Sequence, residues 1–410
     1  MQERNNSMHI NRMPRLQLGD LTVQVPIIQG GMGVGISRSG LASAVANQGG
    51  IGVIASVGLD LMNGKIRGRT KGSNTFMLKE EIRQARRLTK GIIGVNVMMA
   101  LTDFEQLVDA TIEEGADVLF LGAGLPLNIS KQLTPEHLRH LKTKIVPIVS
   151  SDRAARLIFQ YWSRKYNRVP DGVVVEGPKA GGHLGFRKEQ IFDPAFALEK
   201  LVPAVVSAVL PFEQEYGTSI PVIAGGGIFT GQDIHKILQL GAQGVQMATR
   251  FIATFECDAD DAFKQAILNA GEKDVMIIDS PVGLPGRAIR NAFLDDVTAG
   301  IKKPFKCPFK CLRTCDYKTV PYCIALALTN AQRGKLEDGF AFTGANAHRV
   351  HSITSVKALM DSLIQEYELA AEAAWLPASF EPLGTSQSKC STLELRSHHS
   401  STRPPSHDSL

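Results

Sequence analysis

The chain has 410 residues, 44% of them apolar, enough to bury a sizeable core, and its net charge of +5 comes from 45 basic and 40 acidic side chains spread along the sequence. That spread leaves no basic stripe for nucleic acid, and no run approaches the ~18 consecutive apolar residues of a membrane span. Residues 1–15 are polar where a secretory signal needs an apolar centre, and six cysteines in so long a chain do not make a disulfide scaffold, so a cytoplasmic protein acting on small molecules is expected.

In chain order, residues 1–15 lack periodicity and read as a flexible arm. A regular alternation starts at Leu16. Residues 26–29 form a short apolar strand ending in Gly30-Gly31-Met32-Gly33, and residues 37–48 an Ala-rich helix with Ser37 as its cap. The second strand is 51–56, followed by a basic, glycine-containing excursion over 63–74 and a charged helix over 77–89. Strand three, 92–98, leads to a helix with Phe104, Leu107, Val108 and Ile112 on one face. Strand four is 118–121, closed by Gly122-Ala123-Gly124, with a helix at 135–142. Strand five is 145–150, with an amphipathic helix marked by Leu157, Ile158, Tyr161 and Trp162. Strand six opens the segment 173–186, and 193–216 returns from it with room for two helices. Strand seven, 221–224, runs into Gly225-Gly226-Gly227 and a helix at 232–240; strand eight is 244–248.

Eight strands alternating with helices predict an α/β fold, a closed (β/α)8 barrel, because crossover helices cover both faces of a parallel sheet. The rival is an open doubly wound sheet. Its dinucleotide fingerprint is poorly met, since the glycines at 30–35 lack the third glycine at the right offset. The expected organisation is an arm over 1–15, a barrel over 16–300, a Cys-rich and helical extension over 301–376, and a disordered tail over 377–410, where Ser, Thr, His and Pro dominate.

The segment 173–186, VVVEGPKAGGHLGF, carries the strongest chemical signal. A buried strand runs into a small-residue bend that presents His183, the side-chain type that exchanges protons near neutrality without special help. Gly181 and Gly182, lacking Cβ atoms, allow a flat ligand to approach the backbone. In a barrel, ligands gather at the C-terminal strand ends, with phosphate commonly beside the loops after strands seven and eight. The triple glycine and residues 246–250 occupy those places, and amides from the glycines and from the start of the helix at 232 are expected to hold an anion without a lysine. Asn96, an amide among Ile93, Val95 and Val97, needs a partner, either a heteroaromatic ligand or neighbouring backbone.

In order and spacing, PIIQGGM, GVNVMM, EGPKAGGHLG, PVIAGGGI and GVQMATRF resemble the flavin-dependent nitronate monooxygenase (2-nitropropane dioxygenase) family, whose superfamily includes the FMN-dependent enoyl-ACP reductases. The resemblance covers about residues 16–300. It implies FMN cradled by Gly30, Gly31 and Met32, with Asn96 on the isoalloxazine ring, and Glu176, Gly181 and Gly182 close by. It also implies a phosphate site of Gly226 and Gly227 with Gln246, Met247 and Thr249, and His183 as catalytic base. The implied reaction is oxidation of an alkyl nitronate or nitroalkane by O₂; a homodimer is compatible with it. Where nitronate-oxidising members commonly have Gln, this chain has Glu176, as in the reductase branch. The alternative is therefore an NAD(P)H-dependent enoyl-thioester reductase.

Residues 280–291 (SPVGLPGRAIRN) read as a basic loop returning over the mouth of the site, with Arg287 and Arg290 either solvated or facing an anion. Beyond it, Cys307, Cys311, Cys315 and Cys323 are separated by three, three and seven residues. This density allows a metal or cluster, although C-x-x-C spacing is absent; reduced thiols are expected and the chemistry requires no metal. The helix over 355–374 has the means to pack back on the barrel.

Overall fold

The computed structural model describes residues 13–62, 72–301, 303, 305, 307 and 310–375. Most of the expected arm, the basic excursion at 63–71 and the tail lie outside the described residues. Eight parallel strands close into a barrel: β1 (Ile27–Gln29), β2 (Ile51–Ala55), β3 (Ile92–Met98), β4 (Val118–Gly122), β5 (Lys144–Val149), β6 (Val173–Glu176), β7 (Val222–Gly225) and β8 (Gly244–Met247). Each pairs with its sequence neighbours, and β8 returns to β1 through Val245↔Ile27 and Met247↔Gln29.

The strands read as continuous apolar runs because both faces are buried. Ile28, Val53, Phe120, Val146, Val174 and Ile223 fill the barrel interior, while Ile54, Val95, Leu119, Val175 and Ala224 meet the helices outside. An N-terminal hairpin, Leu16–Leu18 paired with Leu21–Val23, adds Leu16, Leu18 and Val23 to the interior cluster, all three fully buried. It plugs the end of the barrel opposite the C-terminal strand ends. At its turn, Asp20 pairs with Lys144 at the start of β5.

The surrounding helices are α1 (Ser39–Asn47), α2 (Ser73–Leu88), α3 (Phe104–Glu113), α4 (Pro135–Arg139), α5 (Asp152–Tyr166), α6 (Leu198–Tyr216), α7 (Gly231–Gln239) and α8 (Val356–Trp375). The return from β6 is a 3₁₀ turn, Pro194–Phe196, followed by α6. Ser37 does not cap α1. Its hydroxyl instead accepts the Met32 N–H at 2.9 Å, bracing the loop after β1, and the Asp258 carboxylate accepts the Arg38 and Leu41 N–H groups.

More than a hundred residues separate β8 from the helix that completes the ring. Glu366 of α8 accepts the Gly231 N–H at 2.8 Å, Tyr367 lies edge-on to His235, and the Met360 methyl approaches Gly50 beside Val45. α8 thus stands between α7 and α1. The intervening chain includes helix Asp261–Asn269, antiparallel strands Val275–Asp279 and Pro285–Ile289, and helices Ala292–Thr298 and Ile324–Gln332. Among the described residues no helix is long and apolar enough to cross a membrane.

Leu18→Ala empties part of the plug without touching the opposite rim. It is expected to cost about 2–5 kcal/mol in denaturant unfolding while leaving ligand affinity at the strand ends unchanged.

Candidate active site

The C-terminal strand ends surround a cavity of about 790 Å³, within the range of small-molecule sites. Gly30–Met32, Asn96, Glu176, Gly181–His183, Gly226–Gly227 and Gln246–Thr249 all line it, so the structure brings together every residue singled out in the barrel motifs.

His183 is more firmly held than a loop residue. With Gly182 it forms a two-residue strand that extends the Val275–Asp279/Pro285–Ile289 pair, in register His183↔Gly286. Residues 280–291 are accordingly a turn and a strand rather than a basic loop, because Ala288 and Ile289 have a core to enter. Arg290 is exposed and paired with Asp295. Arg287 is only 5% exposed, and its Nη1 donates to the carbonyls of Pro178 and Ala180, both at 2.6 Å. That guanidinium neither sits in solvent nor reaches an anion; it ties down the bend that delivers His183. Burial lowers its pKa to about 10.

The imidazole Nε2 lies 2.6 Å from the Ser280 hydroxyl, and its ring meets Phe342 edge-on at 5.0 Å. Burial pushes the imidazole pKa down to about 4, so His183 is neutral and able to accept a proton at neutral pH. Burial pushes the Glu176 carboxyl the other way, to about 7. No hydrogen bond or ion pair to the Glu176 carboxyl occurs among the described residues.

The remaining groups fit a ligand with ring and phosphate ends. Among the described residues the Asn96 side-chain amide has no hydrogen-bond partner; its Cβ lies 2.5 Å from where a Cβ on Gly31 would be. The Gln246 side chain crowds Gly30 in the same manner, at 3.1 Å, and its amide has no partner among the described residues. Two unpaired amides facing a cavity are expected to be satisfied by a polar ring edge. Gly226 and Gly227 have φ of +97° and +94°, the left-handed region glycine favours. A Cβ on Gly226 would lie 2.8 Å from the Gly177 carbonyl oxygen, so the two loops press backbone to backbone. Their N–H groups remain available. The start of α7 is not: Asp233 accepts the Phe229 and Thr230 N–H groups and Glu366 accepts that of Gly231. The expectation that this helix start holds an anion is therefore corrected.

A lysine stands at the glycine loop instead. Lys179 lines the cavity, its Cβ and Cδ lie 2.9 and 3.0 Å from where a Cβ on Gly227 would be, and it forms no ion pair among the described residues. It was visible within EGPKAGG. The close packing at Gly181 also has another cause than ligand approach, since a Cβ there would meet the backbone of Thr343 and Gly344 at 2.6–2.8 Å; Gly182, with φ +73°, faces open space.

Segment 343–346 completes the rim. Thr249 Oγ1 accepts the Gly344 N–H at 3.1 Å, the Ala345 N–H reaches the Lys179 carbonyl, and Asn346 Nδ2 donates to the Gly227 carbonyl at 2.6 Å. The Met247 carbonyl takes the Gly30 N–H. Nothing in FTGAN announces this role, because its partners lie 95 or more residues earlier. The cysteines take other places. Cys311 joins the cavity wall, and no group of three or more metal-ligating side chains is assembled among the described residues.

The family model for nitronate monooxygenase matches residues 16–366. The chain belongs to that family. A relative from Mycobacterium tuberculosis, (3aS,4S,5R,7aS)-5-hydroxy-7a-methyl-1-oxo-octahydro-1H-indene-4-carboxyl-CoA dehydrogenase, is 29% identical over 289 residues, 70% of this chain and 69% of its own. A probable nitronate monooxygenase of Staphylococcus aureus strain MSSA476 is 27% identical over 317 residues, 68% of this chain and 79% of its own. The solved structure of FabK from Thermotoga maritima superposes with a TM-score of 0.65 at 27% identity, covering 86% of this chain and 95% of that one. Family and relatives together make this chain an oxidoreductase acting on small molecules.

The carboxyl of Glu176 titrates near 4.5 when unfolded and about 7 when folded. The folded form therefore holds the extra proton between those values, and stability falls as pH rises through that window. Glu176→Gln should be increasingly favoured over the parent from pH 5 to 8, by about 2 kcal/mol in all. Denaturant midpoints of the cofactor-free proteins at several pH values check this; a difference independent of pH would show the carboxyl is not perturbed.

Proposed function

We propose that this enzyme binds FMN and oxidises alkyl nitronates with O₂. The observation that carries the proposal is a neutral imidazole in the same cavity as two unpaired amides and a glycine loop with free N–H groups. FMN, when bound, supplies the redox chemistry, accepting electrons from the nitronate and passing them to O₂. The chain's own residues position, desolvate and move the proton. Gly226 and Gly227 offer backbone N–H groups to the phosphate and Lys179 a compensating charge, beside Gln246, Met247 and Thr249. Gly30, Gly31 and Met32 would shape the ring's side of the cavity, the Asn96 and Gln246 amides would be available to its polar atoms, and Gly181 and Gly182 border the site. His183 takes the α-proton of a neutral nitroalkane, and the resulting imidazolium holds the nitronate anion by charge. Ser280 fixes the imidazole orientation, with the ring wedged by Phe342.

A second reaction, reduction of an enoyl thioester by NAD(P)H, is favoured by one feature. Glu176 stands at the end of β6, and its carboxyl, pushed up to about 7, is half-protonated at neutrality and so able to give a proton. Anaerobic mixing separates the two: bleaching of the yellow enzyme by ethylnitronate supports the first, and bleaching by NADH alone supports the second.

Protein reconstituted with FMN is expected to be yellow, and failure to take up FMN would overturn both reactions. His183→Asn should keep FMN and lose about 10²-fold or more in turnover of neutral nitroalkanes, while preformed nitronates suffer less. Unchanged rates would remove the imidazole from the mechanism. Lys179→Ala should weaken FMN about fivefold without changing riboflavin affinity, measured by flavin fluorescence quenching; equal losses for the two flavins would take Lys179 away from the phosphate.

A further inference from the structure

We infer that the substrate carries an uncharged aliphatic body, which lies against an apolar wall supplied by the chain beyond β8. The inference rests on the cavity being the active site, as above, and names the class of molecule it takes.

The wall consists of Val282, Leu312, Leu328 and Phe342. Each is packed on one side against a cluster that includes Phe293, Tyr322, Ile324 and Phe340, and each lines the cavity on the other. Phe293 and Phe340 stack at 6.0 Å and Tyr322 meets both rings edge-on, so the backing is rigid. Half-buried apolar side chains on a firm backing present a surface that gains free energy only when another apolar body covers it.

Its position relative to the chemistry is fixed at both ends. Phe342 touches the His183 ring, and the Val282 N–H points to the Ser280 hydroxyl that His183 contacts. At the far end Leu312 bridges Leu101, just past β3, while the Arg313 N–H donates to the Ala100 carbonyl. The wall therefore runs from the imidazole across the mouth to the end of β3.

Charge points the same way. Besides His183, the charged side chains lining the cavity among the described residues are Asp60, Glu176 and Lys179. Lys179 lies at the glycine loop, and among the described residues no cation stands on the wall. A carboxylate at the distal end of a substrate would lose its hydration there without a partner, so small dianionic nitronates fit poorly and neutral alkyl chains fit well.

Calorimetric titration of the FMN-loaded protein with butanamide, hexanamide and octanamide tests this without requiring turnover. Affinity should rise about threefold to fourfold per methylene, hence about tenfold per step of the series, and adipamate, hexanamide with a distal carboxylate, should bind at least tenfold more weakly than hexanamide. Leu328→Asn should flatten the series and leave FMN affinity unchanged; Leu284→Ser, at an exposed position on the same rim, does so with little risk to folding. A flat series in the parent, or adipamate binding as tightly as hexanamide, overturns the inference. Should the series hold while no nitronate is oxidised, the reaction assigned above fails and the substrate class stands.

Discussion

A single buried guanidinium holds the bend that carries His183 in register. Arg287 donates to two carbonyls of the bend between β6 and His183, and it does so from a strand that pairs with His183 itself. Among the described residues no carboxylate pairs with it, so its burial is offset by those two hydrogen bonds and by whatever else the strand contributes. The bend is pressed from the other side by the Gly226–Gly227 loop, backbone against backbone. Loosening either contact would move the imidazole and Lys179 together, since one short stretch carries both, and would shift them against the Gly226–Gly227 N–H groups. The site is therefore built as a layered stack: strand Pro285–Ile289, the β6 bend, then the β7 loop.

Within that stack His183 and Glu176 are shifted in opposite directions by the same cause. Removal from water disfavours charge, so the imidazole stays neutral and the Glu176 carboxyl holds its proton to about 7. At the imidazole and the Glu176 carboxyl there is thus little charge until a ligand or a transferred proton introduces it. An imidazolium formed by proton abstraction is unstable there except beside the anion it has just generated. That coupling suits abstraction and return of a proton better than it suits static binding of an anion.

Much of this was legible because the barrel imposes both periodicity and place. The eight strands were visible as apolar runs, and those closing on Gln29, Gly122 and Gly225 mark the rim in a fold whose ligands meet C-terminal strand ends. Asn96 stood out since an amide among β-branched residues needs a partner. Local signals misled where a distant residue took over. Ser37 looks like a helix cap, yet Asp258 performs that task. The start of α7 looks like an anion site, yet Glu366 already occupies the Gly231 N–H. Arg287 reads as surface charge in a stretch of Pro and Gly, and only the strand pairing buries it. Thr343, Gly344 and Asn346 were invisible, having no spacing relation to the loops they stitch.

The same displacement explains how one scaffold supports more than one chemistry. In an uninterrupted barrel the helix after β8 would follow at once; here α8 waits while the chain builds a lobe that walls the cavity and threads 343–346 across the rim. The cavity-lining groups proposed to hold the cofactor come from the strand ends of β1, β3, β6, β7 and β8, whose positions the barrel fixes. The apolar wall of the cavity comes from the lobe, whose side chains can change without disturbing the strands, since their backing is a separate cluster of Phe293, Tyr322 and Phe340. Relatives can thus share the barrel motifs and differ in what they act on, because the reaction's redox half and its recognition half rest on different cores.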